Sequence, residues 1–136
     1  MIQKLLNILC FILNGDNNER EDGSYKYVPY PMDEFIKRVP SNKKLFLDVG
    51  CGIGDKVLQA ELMGYEAHGI EVDEQLFKIA DRFMFNIKNI DAFEYQDYDK
   101  FDVIYMYQPY KDEGKLKQLN DLIKSKKKPE SIFIEV

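Results

Sequence analysis

The alternation of apolar and polar positions divides the chain into short helical and extended pieces. Ile2, Leu5, Leu6, Leu9, Ile12 and Leu13 recur at helical spacing and predict a packed helix over residues 2–13, with Asn14-Gly15 as its stop. Residues 14–24 are polar and glycine-containing, a loop long enough to act as a lid. Tyr25-Lys26-Tyr27-Val28-Pro29-Tyr30-Pro31 reads as extended chain, and Met32 to Val39 as a short helix with Phe35, Ile36 and Val39 on one face. Then strand-like and helix-like stretches alternate. A strand over 44–49 precedes a glycine turn, 50–54, and a helix over about 55–64 whose stripe is Val57, Leu58, Glu61 and Leu62. A second strand is expected over 66–72, then a helix capped by Asp73 and running to about Phe85. Further strands are expected over 87–90, 101–107 and 131–136. A helix from Asp112 or Glu113 turns Leu116, Leu119, Leu122 and Ile123 inward, and Lys124 to Pro129 reads as a loop.

Strands alternating with helices predict an α/β fold with a mostly parallel sheet. The first strand, Leu45-Phe46-Leu47-Asp48-Val49, is almost continuously apolar, as suits a strand covered on both faces. It runs into Gly50-Cys51-Gly52-Ile53-Gly54. Glycine allows a sharp turn and close approach of a ligand to the main chain. A dinucleotide fingerprint would need glycine at position 55, where Asp55 stands. Glu71 ends the second strand at about the distance, roughly 20 residues, at which an acidic side chain takes a ribose diol.

Composition narrows the classes. The chain has 136 residues, 45% hydrophobic and 32% charged, which suits one globular domain. The net charge of −5 argues against a surface built for nucleic acid, and the Lys124–Lys128 run reads as a solvated loop. Cys10 and Cys51 have no C-x-x-C partner and are read as reduced thiols of a cytoplasmic protein, Cys51 as a loop residue and not a nucleophile. No His, Cys or carboxylate spacing suggests a metal, and His68, the single histidine, is read as structural or surface. The apolar run at the start is too short to span a bilayer and no small-residue cleavage site follows it.

Asp48-Val49-Gly50-Cys51-Gly52-Ile53-Gly54, with Glu71 downstream, resembles the first motifs of the class I S-adenosylmethionine (SAM)-dependent methyltransferases. The resemblance covers about Lys44 to Val136. It implies a Rossmann-like, doubly wound five-stranded sheet of order 3-2-1-4-5, lacking the family's usual C-terminal antiparallel hairpin, behind an N-terminal helical and lid segment over 1–43. It implies SAM as cofactor, with the methionine end along Gly50, Cys51 and Gly52 near Asp48, and the ribose on Glu71. Asp91 would take the adenine amino group, a backbone N–H near Ala92 would meet the ring, and Phe93 would pack on its face. Tyr27 and Tyr30 match an approach segment laid over the methionine end. Tyr107-Gln108-Pro109-Tyr110 resembles the N/D/S-P-P-Y/F motif of amino-group methyltransferases: Pro109 and Tyr110 match, while Tyr107 and Gln108 replace the acceptor residue and the first proline. Tyr27, Tyr30, Tyr105, Tyr107 and Tyr110 would also suit a methylammonium or lysine acceptor, though strand alternation predicts that not all five line one pocket. The expected activity is methyl transfer to an unidentified acceptor. Alternatives are a non-catalytic SAM-binding subunit and, third, a nicotinamide-binding domain. The apolar edge Ile132-Phe133-Ile134 is expected to be covered by the N-terminal helix or by a second subunit, a possible homodimer contact.

Overall fold

The protein is described from a computed structural model, which covers residues 2–83 and 86–136. Five strands form one sheet: β1 (Leu45–Val49), β2 (Glu66–Ile70), β3 (Asn86–Lys88), β4 (Val103–Met106) and β5 (Ile132–Glu135). Their order is β3-β2-β1-β4-β5, and every pairing is parallel. The helices are α1 (Ile2–Asn14), α2 (Met32–Arg38), α3 (Asp55–Leu62), α4 (Glu74–Arg82) and α5 (Glu113–Lys126).

Successive strand residues face opposite sides of a sheet, so a strand buried on both sides must be apolar throughout. Phe46, Val103 and Tyr105 enter one core with Phe35 of α2 and Val57 and Ala60 of α3. Leu47, Val49, Ile104 and Met106 enter the other with Leu119 and Ile123 of α5. Strand order reverses between β2 and β4 around β1, so their carboxyl ends open a crevice there.

Several expected faces are shifted. On α3 the buried residues are Lys56, Val57 and Ala60, while Leu58 and Leu62 face solvent. The helix begins directly from the glycine turn, which sets its phase one position away from the apolar stripe read from the sequence. On α2, Met32 and Phe35 are buried and Ile36 is exposed, and Val39, just past its end, is buried too. The strand expected over 87–90 lies instead at Asn86–Lys88, and that expected over 101–107 is confined to Val103–Met106. Helix α4 ends at Arg82, and the part of the expected helix at 84–85 lies outside the described residues. Lys124 and Lys126 belong to α5, and Lys124 and Lys128 are engaged by Glu135 and Asp102, so the lysine run is partly helical and neutralised.

The N-terminal helix departs most from expectation. Only Leu6 of α1 is buried. Its hydrogen bonds go to the following segment and to the start of α2, and β5 remains an edge strand with Ile132 exposed. Leu6 of α1 enters the same core as Ile134 of β5, while most of the helix's apolar side chains stay at the surface. No helix among the described residues is long and apolar enough to cross a membrane.

Candidate functional site

The glycine turn forms the floor of the crevice. Gly50, Gly52 and Gly54 all have positive φ, 76°, 58° and 88°. The amides of Gly50 and Cys51 both donate to Ile70 O at the end of β2 (2.9 and 3.0 Å), locking the turn to the neighbouring strand. Cys51 packs on Gly69, where a Cβ would lie 2.7 Å from its Sγ. Burial pushes the Cys51 thiol well above its ordinary range, which keeps it inert.

Glu71 follows β2 and is buried, 6% exposed. Its Oε1 accepts from Gly52 N and its Oε2 from Asp73 N, both at 2.8 Å. Each carboxylate oxygen retains a lone pair for a further donor. Asn89 Nδ2 donates to Glu71 O (2.8 Å) and Val72 O (3.1 Å), fixing the main chain on which that carboxylate sits. Burial raises the Glu71 pKa, against the lowering effect of its two amide donors and Arg20.

Asp48, at the end of β1, is 4% exposed. Burial, then Asp55, pushes its carboxyl well above the usual range; Lys56 opposes the shift and Glu71 adds to it. Lys56 is itself buried and gives its ammonium to Asp55 at 2.7 Å. The floor thus carries three carboxylates around one ammonium. The Tyr27 hydroxyl is buried beside Asp55, and the Tyr105 hydroxyl is buried near Asp48 and Asp55 without a hydrogen-bond partner among the described residues. Such a set favours a cationic guest that also offers hydrogen-bond donors.

A strap over residues 15–31 forms the roof. At one end Arg20 Nη2 pairs with Asp73 Oδ2 (2.7 Å), while Asp73 Oδ1 caps α4 by accepting from Gln75 N and Leu76 N. At the other, Tyr25 N donates to Pro109 O (2.9 Å) and Lys111 N to Gly23 O (3.0 Å). Between them the Tyr27 ring lies on Gly52, where a Cβ would stand 2.7 Å from Tyr27 Cδ1. Tyr30 packs against Tyr107, with ring centres 5.1 Å apart.

Floor and roof enclose a cavity of about 290 Å³. Tyr27, Asp48, Gly50, Cys51, Gly52, Glu71, Asp91, Ala92, Tyr107, Gln108, Pro109 and Tyr110 all line it, whereas Phe93, expected on the adenine face, does not and packs instead against the core below and near Tyr110. Asp91 turns one oxygen to Phe93 N (2.9 Å). That bond orders the turn after β3, and the second oxygen makes no hydrogen bond among the described residues. Contrary to the alternation argument, all five tyrosines line the cavity. Tyr105 and Tyr107 are two apart and share a face, and Tyr110 lies past the strand end, where alternation no longer applies. Sequence reasoning missed Arg20, Asp55, Lys56, Asp73 and Asn89 as parts of the site. Arg20 and Asp73 are 53 positions apart and carry no shared motif. Asp55 and Lys56 read as an ordinary first helical turn.

The sequence matches no protein-family model and no curated protein sequence. Solved structures do resemble it. An RNA methyltransferase from Salinibacter ruber, in complex with S-adenosyl-L-homocysteine, superposes with a TM-score of 0.59 at 23% identity over 75% of this chain and 72% of its own. The PH0226 protein from Pyrococcus horikoshii OT3 gives 0.68 at 20% identity over 76% and 53%. The glycopeptide N-methyltransferase MtfA, complexed with SAM, gives 0.59 at 12% identity over 76% and 51%. The chain thus spans about half the length of the last two. With its parallel 3-2-1-4-5 sheet and glycine turn after β1, the chain has the Rossmann-like fold of the class I SAM-dependent methyltransferases.

Proposed function

We propose that the chain binds SAM in the cavity above β1 and transfers its methyl group to an acceptor, in line, at the carboxyl end of β4. The observation that carries this reading is the buried Glu71 carboxylate, bonded to Gly52 N at the turn that a cofactor would approach. Glu71 would take the ribose hydroxyls, and the free oxygen of Asp91 the adenine amino group, with Ala92 N–H at the ring edge. Gly50, Cys51 and Gly52 would line the methionine end, where Asp48 faces the ammonium. The fit is chemical as well as spatial. A cationic sulfonium amino acid would supply the positive charge and donors that Asp48 and the buried Tyr105 hydroxyl are short of. The cavity volume stands near the lower bound of about 300 Å³ for small-molecule sites.

When bound, SAM supplies an activated methyl on a positive sulfur, whose departure as a neutral thioether needs no acid. The protein's own part is then alignment and exclusion of water. Tyr107 and Gln108 offer acceptor oxygens for an incoming amine or other heteroatom, Pro109 orders the turn, and Tyr110 packs on the acceptor. Calorimetry with SAM and S-adenosylhomocysteine tests the reading: saturable binding by both is expected, lost in Glu71→Ala. Absence of binding by either at millimolar ligand would refute it.

A second reading, a SAM-binding subunit without turnover, is favoured by the Tyr107-Gln108 replacement and by the backbone of Gln108, whose N–H is tied to Val136 O (3.1 Å). Methyl-labelled SAM with pooled acceptors separates the two. Label transfer sensitive to Tyr107→Phe supports catalysis, and binding without transfer supports the subunit.

A further inference from the structure

Helix α1 meets the protein along Gln3, Leu6, Cys10 and Asn14, with Leu6 the one apolar side chain buried there. Gln3 Oε1 accepts from Met32 N (2.9 Å), and Cys10 Sγ and Asn14 Nδ2 both donate to Tyr27 O (3.2 and 2.6 Å). The opposite arc carries Ile2, Leu5, Ile8, Leu9, Phe11 and Ile12, each between 38% and 69% exposed. An ordinary surface helix turns that stripe inward. Here it cannot turn inward without breaking three hydrogen bonds that hold α1 and the strap together.

The outward stripe has a definite pattern. Ile2, Leu5, Leu9 and Ile12 are spaced 3-4-3, the a and d positions of two heptads, with Gln3, Cys10 and Asn14 at the outer positions that face away from such a seam. Ile2, Leu5, Ile8, Leu9, Ile12 and Leu13, at the a, d, e and g positions, leave roughly 600 Å² open, at the top of the range for a monomer's largest apolar patch and equal to the ~600 Å² per partner of the smaller standard interfaces. A lipid surface fits less well. Interfacial helices line their polar flank with Lys and Arg, whereas here that flank is used on the protein, Lys4 is the helix's one charged side chain, and the chain carries −5.

We infer that a second copy of this chain covers α1, the two seams meeting about a two-fold axis. Such a contact is self-complementary, and an apolar seam flanked by one charge per helix brings few like charges together. The interface is separate from the β5 edge. It also reaches the cavity: the face of α1 opposite the seam holds the carbonyl of Tyr27, whose ring lies on Gly52. Pairing of the helices braces the roof.

The test is sedimentation velocity and light scattering on the intact chain. The expected species at about 100 μM is twice the 16.0 kDa monomer mass. Leu5→Glu with Ile12→Glu should raise the dissociation constant at least ~100-fold, with circular dichroism unchanged because both side chains are exposed. The milder Leu9→Ala should raise it about tenfold. Ile132→Lys should leave the dimer intact. The inference is overturned by a monomer at that concentration, by aggregates without fixed stoichiometry, or by a dimer that survives the α1 variants and falls with Ile132→Lys. A monomer that instead co-sediments with phosphatidylcholine vesicles assigns the seam to lipid and overturns it equally.

Discussion

The floor and the roof of the cavity are held by different means. Below, Gly50, Cys51, Gly52 and Asp73 all give their amides to acceptors on β2 or just after it, and these acceptors are buried. Above, the strap is fastened by a half-buried ion pair at Arg20, two backbone bonds to the chain after β4, and the side chains of α1. Buried bonds to a charged group contribute roughly 1.5 to 3 kcal/mol, whereas solvent-screened pairs contribute about 1 or less. The floor is therefore expected to hold its shape under conditions in which the cover is the first part to open.

The sharpest way to break that contrast is Glu71→Ala. It leaves Gly52 N and Asp73 N without their acceptor, and we expect a loss of about 2 kcal/mol in a urea melt together with SAM affinity down at least ~100-fold by calorimetry. Stability lost with affinity intact would separate Glu71 from the ligand. Next comes Gly52→Ala, which combines a positive φ with a contact against Tyr27. A cost of about 1 to 3 kcal/mol is expected by thermal melt, and adding Tyr27→Ala should recover the contact part only.

Acid separates the two carboxylate environments. The folded Glu71 holds its proton to higher pH than the unfolded chain does, so its contribution to stability grows as pH falls through the folded pKa toward 4.5. SAM affinity should fall over that same range, because the ribose hydroxyls need an ionised acceptor. Asp102 behaves oppositely. Lys128 first, and the amides of Leu45 and Lys44, hold it down to about 2, so its contribution is present above 3.8 and lost between there and about 2. Calorimetry and melts across about pH 2 to 7, run in parallel, read both trends. The smallest effect belongs to Arg20→Ala: at most about 1 kcal/mol in stability, but faster proteolytic cleavage within residues 16–24, read by mass spectrometry.

What was legible in the sequence follows the same division. Parallel pairing and the placing of the glycine turn and Glu71 came from local signals: an apolar run, glycines at fixed spacing, an acid at a strand end. Strand order and the parts given to Asp48 and Asp91 came from the resemblance to the methyltransferases. The strap's fastening was illegible because Arg20 meets Asp73, and Tyr25 meets Pro109, through contacts that leave no periodic trace. Helix α1 was readable as a helix but not as to which side it presents. Periodicity reports that two faces differ, and only the partners of Gln3, Cys10 and Asn14 tell which one looks outward. The phase of α3 failed for a related reason: the glycine turn, and not Leu58 or Leu62, sets its rotation.

The amides on Ile70 O carry a last implication. Because part of the bend after β1 is tied through main-chain atoms, many side chains can change without undoing it, so long as its three glycines, Gly69 under Cys51 and the Glu71 carboxylate on Gly52 N stay. Ancestral wording can thus drift a long way while the shape endures, and kinship in such a molecule outlives the letters that once spelled it.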